Sequence, residues 1–260
     1  MTDGKYSSRR KKRRVIIDAP FIDQREKYPT GCESVTAVMA LHDLGIDMNP
    51  DDFINHYLEK GSMPHEKGRL TAGANPRKAF VGSPYSPDDF GCYAPVIKRA
   101  LEEVLGDSAG KSPNSSDEVS GEEAPGKKIS EDGTSAKVAA GVRSSGSSAS
   151  GAYSVIDASG LSLDQLCHRY IRKRMPVILW ATMYMRHTFR GDTWRDETDA
   201  SISIIWRNNE HCLLLVGYDK RYYYFNDPLL GAKVRFTKSA VQRAYKSMFK
   251  QALVIEWAQG

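Results

Sequence analysis

The stretch that most constrains the fold is residues 28–39, because it joins a helix start to an apolar run. Pro29 ends the preceding element, and Thr30 followed by Glu33 fits a capping box at a helix N-terminus. Gly45 fits a C-terminal stop. Apolar residues lie on almost every side of the helix between these signals: Val35, Ala37, Val38, Met39, Ala40, Leu41 and Leu44. The pattern predicts a buried helix.

Cys32 would lie in the first turn of this helix. Unpaired backbone amides and the helix dipole favour negative charge there, so a thiol would ionise more readily than free cysteine. Cys32 is therefore a candidate nucleophile. Free cysteines are also common as small, inert core residues, and the helix alone leaves both interpretations open.

The charge of the chain is concentrated at one end. The net charge is +5, but residues 9–14 are all Lys or Arg and carry six positive charges, so the remainder is close to neutral. A near-neutral body argues against a nucleic-acid-binding domain. We expect residues 1–14 to be a basic disordered tail and residues 15–257 to form one domain, since 260 residues with 40% hydrophobic content suffice for a large core.

Residues 107–151 differ in composition from the rest of that domain. They consist mainly of Ser, Gly, Glu, Lys and Ala, with almost no large apolar side chain. Such a segment cannot bury enough surface to offset its ordering entropy. We therefore predict a disordered Ser/Gly-rich insertion within the domain.

The remaining elements predict an α+β fold. Helix starts are indicated at Asn49-Pro50, at Ser162 with Gln165, and at Thr237. Residues 184–201 are charged and predict a loop. Strands are predicted at 177–182, 202–206, 212–218, 222–225, 234–236 and 252–257. Helices thus dominate the first half of the chain and antiparallel strands the second.

His211 and Asp227 lie on two of these strands, joined by a tight turn at 219–221. If the loop has an odd number of residues, both side chains point to one face, whereas an even loop would place them on opposite faces. If both side chains share a face, the Asp227 carboxylate could accept the proton of one His211 ring nitrogen and so orient the ring. The other ring nitrogen would then be free to face a thiol. Asn226 is an alternative orienter that strand parity disfavours.

Several segments together resemble the stand-alone peptidase domains of cysteine-peptidase family thirty-nine, whose bacterial members process bacteriocin leaders. The segments are Ile22-Asp23-Gln24, Pro29-Thr30-Gly31-Cys32-Glu33-Ser34-Val35, Gly91–Ile97, Pro176–Trp180, His211–Asp219 and Tyr223–Pro228. The resemblance covers roughly residues 15–257 apart from the insertion. It implies a papain-like fold in which a helical subdomain and an antiparallel-sheet subdomain flank a cleft. It also implies that Gln24 donates its side-chain amide to the oxyanion beside the Cys32 amide.

These observations predict a cysteine-dependent hydrolase of peptide or other amide bonds, using Cys32, His211, Asp227 and Gln24. No metal or organic cofactor is expected, and the partner is a peptide or protein substrate of a monomeric enzyme. The chain contains no ATP-binding cassette and no membrane domain, so a transport-coupled role is not implied. Without a signal peptide or a transmembrane run, a cytoplasmic location with reduced cysteines is the default expectation. Domains similar to this one are often exported, so the compartment stays open.

Three alternatives are compatible with these residues. Peptidyl transfer could use the same three residues, and a papain-like scaffold could serve as a non-catalytic binding module. Zinc could be bound by Cys167-His168 together with His211-Cys212. The zinc set is disfavoured because neighbouring residues on a strand face opposite sides and the chain has no Cys-x-x-Cys pair.

Overall fold

The computed structural model describes residues 14–66, 69–70, 72–110 and 153–257. The predicted basic tail up to residue 13, and residues 111–151 of the predicted insertion, lie outside the described residues. Helix α3 continues to Gly110, past the predicted start of the insertion. The α-helices in the described part of the chain are α1 (Cys32–Asp43), α2 (Pro50–Asp52), α3 (Ala94–Gly110), α4 (Leu163–Arg169) and α5 (Lys238–Ser247).

Short strands precede the insertion and longer strands follow it. The short ones are β1 (Val15–Ile16), β2 (Lys60–Gly61), β3 (His65–Glu66), β4 (Arg69–Leu70), β5 (Ala72–Gly73) and β6 (Phe80–Val81). The later ones are β7 (Tyr153–Asp157), β8 (Val177–Thr182), β9 (Phe189–Asp196), β10 (Ser203–Asn208), β11 (Glu210–Tyr218), β12 (Tyr222–Asp227), β13 (Gly231–Thr237) and β14 (Ala252–Trp257).

The main sheet is antiparallel throughout and runs in the order β13-β12-β11-β8-β14-β7. Strand β1 adds to it by pairing with Gly217 and Tyr218 of β11. A smaller sheet has the order β10-β9-β5, and two further strand pairs join β2 to β6 and β3 to β4. Helices packed on an antiparallel sheet give the predicted α+β fold.

Helix α1 is the buried helix that the sequence predicts. Its first ten residues, Cys32–Leu41, are all buried, and the helix packs against β11 and β8. The Thr36 hydroxyl donates to the backbone oxygen of Cys212, which joins the helix to β11. Each fully buried side chain of the size of Val38 or Leu41 contributes about 1.5–3 kcal/mol. The helix ends as predicted, with Gly45 at φ +78°.

The predicted capping box at the start of α1 is wrong. Gly31 occupies the N-cap position, and no side chain caps the helix. The Thr30 hydroxyl instead donates to the backbone oxygens of Ser83 and Ser86, because the loop that carries these residues packs against the helix start. The other predicted starts are confirmed: Asn49, Ser162 and Thr237 cap α2, α4 and α5.

The predicted loop at residues 184–201 is also wrong, since β9 occupies much of it. The sequence of β9 is polar, but the strand pairs with β10 and β5 and buries Trp194 against Phe90. The Trp194 indole N–H donates to the backbone oxygen of Ala74. Pairing with β10 and β5, which a local sequence pattern does not record, therefore determines this strand.

Candidate active site

Cys32 is the first residue of α1, and its side chain is almost fully buried at 6% exposure. Its sulfur accepts a hydrogen bond from the Cys212 backbone N–H at 3.3 Å and donates to Glu33 Oε2 at 3.2 Å. The His211 ring is not among its hydrogen-bond partners within the described residues. Gly31 allows the tight entry into the helix, because a Cβ there would lie 2.8 Å from the Tyr28 Cβ.

The electrostatics of Cys32 differ from the sequence-based expectation. Burial raises the pKa of the Cys32 thiol well above its ordinary value, and the nearby charges of Glu33 and Glu210 raise it further. The hydrogen bond from the Cys212 N–H lowers the pKa by a smaller amount. The expected lowering of the thiol pKa by the helix N-terminus is therefore wrong for this orientation of the side chain.

His211 and Asp227 form a buried pair. The Nε2 of His211 lies 2.7 Å from Asp227 Oδ1, and both side chains are at most 3% exposed. Oδ1 of Asp227 also accepts a hydrogen bond from the Leu229 backbone N–H at 2.9 Å, which fixes the carboxylate. With Nε2 occupied in this way, Nδ1 is the ring nitrogen that can face a thiol.

A β-bulge brings these two side chains to one face. Tyr218 pairs with Tyr223, so four residues close the hairpin, and this even loop contradicts the odd loop on which the parity prediction relied. Between Leu215 and Gly217 the register of β11 shifts by one residue. One inserted residue reverses the face of every side chain beyond it. The bulge therefore returns His211 to the face of Asp227, from which the even loop alone would have turned it away.

Asn226, the alternative orienter, has a different role. Its side-chain amide donates to the backbone oxygens of Ala19 and Pro20, and its oxygen accepts from the Lys233 N–H. Asn226 thereby ties the segment before α1 to the sheet, and Asp227 is the residue that contacts His211.

Gln24 is buried and lines the same cavity as Cys32 and His211. Its Nε2 donates to the backbone oxygens of Tyr28 and Pro29, at 3.2 and 3.1 Å. The Oε1 of Gln24 has no hydrogen-bond partner within the described part of the chain. An oxyanion would therefore have to compete with these two carbonyl groups for the amide of Gln24.

The side chains of Gln24, Cys32 and His211 line one cavity of about 350 Å³. Its wall combines polar groups with apolar and aromatic side chains. The lining residues are Gln24, Pro29, Thr30, Cys32, Pro87, Asp88, Asp89, Phe90, Met183, Trp206, Asn208, Asn209, Glu210, His211 and Leu229. Trp206 supplies the indole at this cavity.

Two carboxyl groups at this site, Glu33 and Glu210, were not predicted from the sequence. Burial raises the pKa of Glu33 to about 7, although the hydrogen bond donated by the Cys92 N–H lowers it. Burial, with the charge of Glu33 second, raises the pKa of Glu210 well above its ordinary value. Their positions directly beside Cys32 and His211 in the chain are the available signal, although the capping-box pattern predicts only a helix cap at Glu33.

One group of potential metal ligands is present among the described residues. Cys32, Glu33 and Glu210 each offer one donor atom, and these atoms lie within 4.8 Å of one another. The zinc set considered from the sequence, which combined Cys167-His168 with His211-Cys212, is not such a group in the described part of the structure.

A buried helix that begins at a cysteine, packed on an antiparallel sheet that carries a histidine–carboxylate pair, defines the papain-like class of folds. The model of the Peptidase_C39 like family matches residues 121–253, which is just over half of the chain. The chain belongs to this family. The matched segment includes His211 and Asp227 and does not include Gln24 or Cys32.

Two individual proteins resemble the chain. A crystal structure from Bacillus anthracis, described as a candidate C39-like peptidase, superimposes with a TM-score of 0.67 at 20% identity, covering 95% of this chain and 98% of that one. The uncharacterized protein YvpB of Bacillus subtilis (strain 168) is 32% identical over 103 residues. That match spans 39% of this chain and 39% of YvpB.

Among the described residues, no helix combines the length and apolar character needed to span a bilayer.

Proposed function

We propose that this protein is a cysteine peptidase in which Cys32, His211 and Asp227 act together. The observation that carries the proposal is the buried His211–Asp227 pair, whose histidine lines the same cavity as Cys32. A thiol is a weak nucleophile until it loses its proton, and an oriented imidazole within reach can accept that proton. Membership of the Peptidase_C39 like family supports the same chemistry.

In the proposed reaction the Cys32 thiol first turns from Glu33 toward His211. Nδ1 of His211 takes the thiol proton as the sulfur attacks the substrate carbonyl carbon, and the carbonyl electrons move to oxygen. The carbon–nitrogen bond then breaks, and the imidazolium gives its proton to the leaving amine. A thioester remains on Cys32.

Hydrolysis of the thioester completes the cycle. Neutral His211 takes a proton from water, the hydroxide adds to the thioester carbon, and the carbon–sulfur bond breaks. The imidazolium returns its proton to the Cys32 sulfur. Asp227 stabilises the imidazolium in both halves of the reaction because its carboxylate is bonded to Nε2.

We also propose that Gln24 and the Cys32 backbone N–H hold the oxyanion. The first amides of a helix have no acceptor within the helix, so the Cys32 N–H is suited to this role. Gln24 lines the cavity, and its amide would exchange one carbonyl acceptor for the oxyanion. Gln24→Ala should lower kcat about 10²–10³-fold if this assignment holds.

The proposal is tested by incubating the purified chain with a peptide library and sequencing the products. Cleavage should occur with wild type, should disappear in Cys32→Ala and should persist in Cys167→Ala. Cys167 is the matched control because it is also buried but does not line the cavity. Equal cleavage by wild type and Cys32→Ala would refute the proposal.

A non-catalytic binding module is the second candidate, and one observation favours it. The thiol is bonded to Glu33, and its pKa is raised rather than lowered. A binding module would retain peptides without cleaving them. Peptides recovered intact from wild type, with affinity unchanged in His211→Ala, would favour this candidate over the peptidase.

A further inference from the structure

Three donor atoms converge at the start of α1 and β11. Cys32 and Glu33 are the first two residues of the helix, and Glu210 is the first residue of the strand that packs against it. The donor atoms lie within 4.8 Å of one another, and Cys32 Sγ and Glu33 Oε2 are 3.2 Å apart. Ligands around one tetrahedral Zn²⁺ are separated by similar distances, given bonds of about 2.0–2.3 Å.

Two of these donors are oriented by backbone groups behind them. Glu33 Oε1 accepts the Cys92 N–H at 2.6 Å, and Cys32 Sγ accepts the Cys212 N–H at 3.3 Å. Such outer contacts hold metal ligands in place and tune their affinity. Gly91 leaves the necessary room, because a Cβ there would lie 2.5 Å from Glu33 Oε1 and 3.3 Å from Glu210 Oε2.

Glu210 provides an independent indication of a ligand. Its Oε1 is buried and has no hydrogen-bond partner within the described residues, and the residue lines the cavity. A buried carboxyl oxygen without a hydrogen-bond partner is unfavourable, because it has lost its contacts with water and gained none. No lysine or arginine is among the described residues that line the cavity, and His211 is the side chain there whose charge favours ionised Glu33.

We propose that Cys32, Glu33 and Glu210 form a binding site for a thiophilic divalent cation, Zn²⁺ in particular, which blocks the Cys32 sulfur. A thiolate with two carboxylates favours Zn²⁺ or Cd²⁺ over Mg²⁺ and Ca²⁺, which require oxygen ligands alone. On binding, the metal–sulfur bond forms and the S–H bond breaks. That proton, and any proton on the two carboxyl groups, passes to solvent.

This site goes beyond the proposed peptidase function and does not depend on it. If the peptidase proposal is right, Zn²⁺ inhibits the enzyme until a chelator removes it. If the protein hydrolyses no peptide, the same cation still binds, and its binding is measured without substrate.

The experiment titrates the full-length protein, freed of metal, with Cd²⁺ and follows the ultraviolet charge-transfer absorption of the cadmium–thiolate bond. Wild type and the exposed control Glu26→Gln should show the band with equal affinity. Glu210→Gln and Glu33→Gln should weaken binding about tenfold or more, and Cys32→Ala should abolish the band. Glutamine keeps the size of glutamate, and melting temperatures establish that each variant is folded.

His211→Ala distinguishes this site from a metal held by the Cys32–His211 pair. The proposed site retains the Cd²⁺ affinity of wild type in this variant within about twofold, whereas a cysteine–histidine site loses it. Undiminished binding by Glu210→Gln, or loss of binding in His211→Ala, would overturn the proposal. So would a wild-type protein that shows no charge-transfer band.

Discussion

Two carboxyl groups contact the two side chains proposed to react. Asp227 is bonded to the ring of His211, and Glu33 is bonded to the thiol of Cys32. In the proposed mechanism the first contact orients the base, whereas the second bonds the thiol to a group other than that base. At the scale of single residues, reactivity therefore depends on which neighbour the Cys32 side chain faces.

Replacing Asp227 tests the orienting contact. In Asp227→Asn, an amide N–H would face Nε2 of His211 and favour the tautomer with the proton on Nδ1, which cannot accept the thiol proton. We expect kcat for peptide cleavage to fall about 10²–10⁴-fold with a small change in KM. Steady-state kinetics of a variant whose melting temperature matches wild type provide the measurement, and an unchanged kcat would contradict the assignment.

The pH dependence of alkylation tests the protonation state of Cys32. Because the folded-state pKa of the thiol is raised, its thiolate forms only at pH values above the range of free cysteine. Below about pH 8, iodoacetamide should therefore modify Cys32 more slowly than free cysteine. Mass spectrometry of the digested protein gives the rate at this residue. A rate midpoint well below that of free cysteine would instead indicate a resting thiolate–imidazolium pair.

At the scale of elements, the β11–β12 hairpin shows what a local pattern can and cannot predict. The side-chain alternation correctly placed His211 and Asp227 on adjacent strands. The even loop and the bulge at Val216 were both missed, and the two errors cancelled. Neither feature has a local sequence signal here, because the bulge depends on the pairing of β11 with β12, β8 and β1.

Gly217 tests the close approach of β1 to this bulged strand. A Cβ at this position would lie 2.5 Å from the Val15 backbone oxygen and 3.0 Å from the Ile16 Cα. Gly217→Ala should lower the free energy of unfolding by about 1–3 kcal/mol. Gly106→Ala is the matched control, because a Cβ at this site in α3 would meet no neighbouring atom. Alanine there should raise the free energy of unfolding by about 0.5–1 kcal/mol. Denaturant unfolding measures both, and equal stability of the two variants would argue against the contact.

Asp196 connects β9 to the segment that precedes α3. Its buried carboxylate accepts hydrogen bonds from Asn75, Lys78 and Thr198. Burial alone would raise the pKa of Asp196, but these hydrogen bonds outweigh it and hold the pKa well below its ordinary value. A carboxylate with a lowered folded-state pKa stabilises the fold above its unfolded-state pKa of about 3.9, and the contribution is lost as the pH falls further.

Asp196→Asn should consequently lower the free energy of unfolding by about 2 kcal/mol at pH 7, with a difference from wild type that shrinks below about pH 4. Urea unfolding at several pH values measures this, with the exposed Asp47→Asn as control. A difference that stays constant between pH 7 and pH 3 would show that the charge of Asp196 does not contribute.

At the scale of the whole molecule, the candidate site assembles from segments that are distant in the chain. Gln24 precedes α1, Cys32 begins it, and His211 and Asp227 follow on β11 and β12. The caps at Asn49, Ser162 and Thr237, the burial of α1 and the α+β class were predictable because they follow local rules. The contacts of Cys32 with Glu33 and Cys212 were not, since they depend on how the helix docks against the sheet.

The central claim, that His211 and Asp227 activate Cys32, is tested most directly by labelling with a peptidyl vinyl sulfone and locating the adduct by mass spectrometry. We predict an adduct on Cys32 in wild type, strongly reduced labelling in His211→Ala and Asp227→Asn, and none in Cys32→Ala. An equal rate of Cys32 labelling in wild type and His211→Ala would contradict this claim. So would labelling of Cys92, Cys167 or Cys212 in place of Cys32.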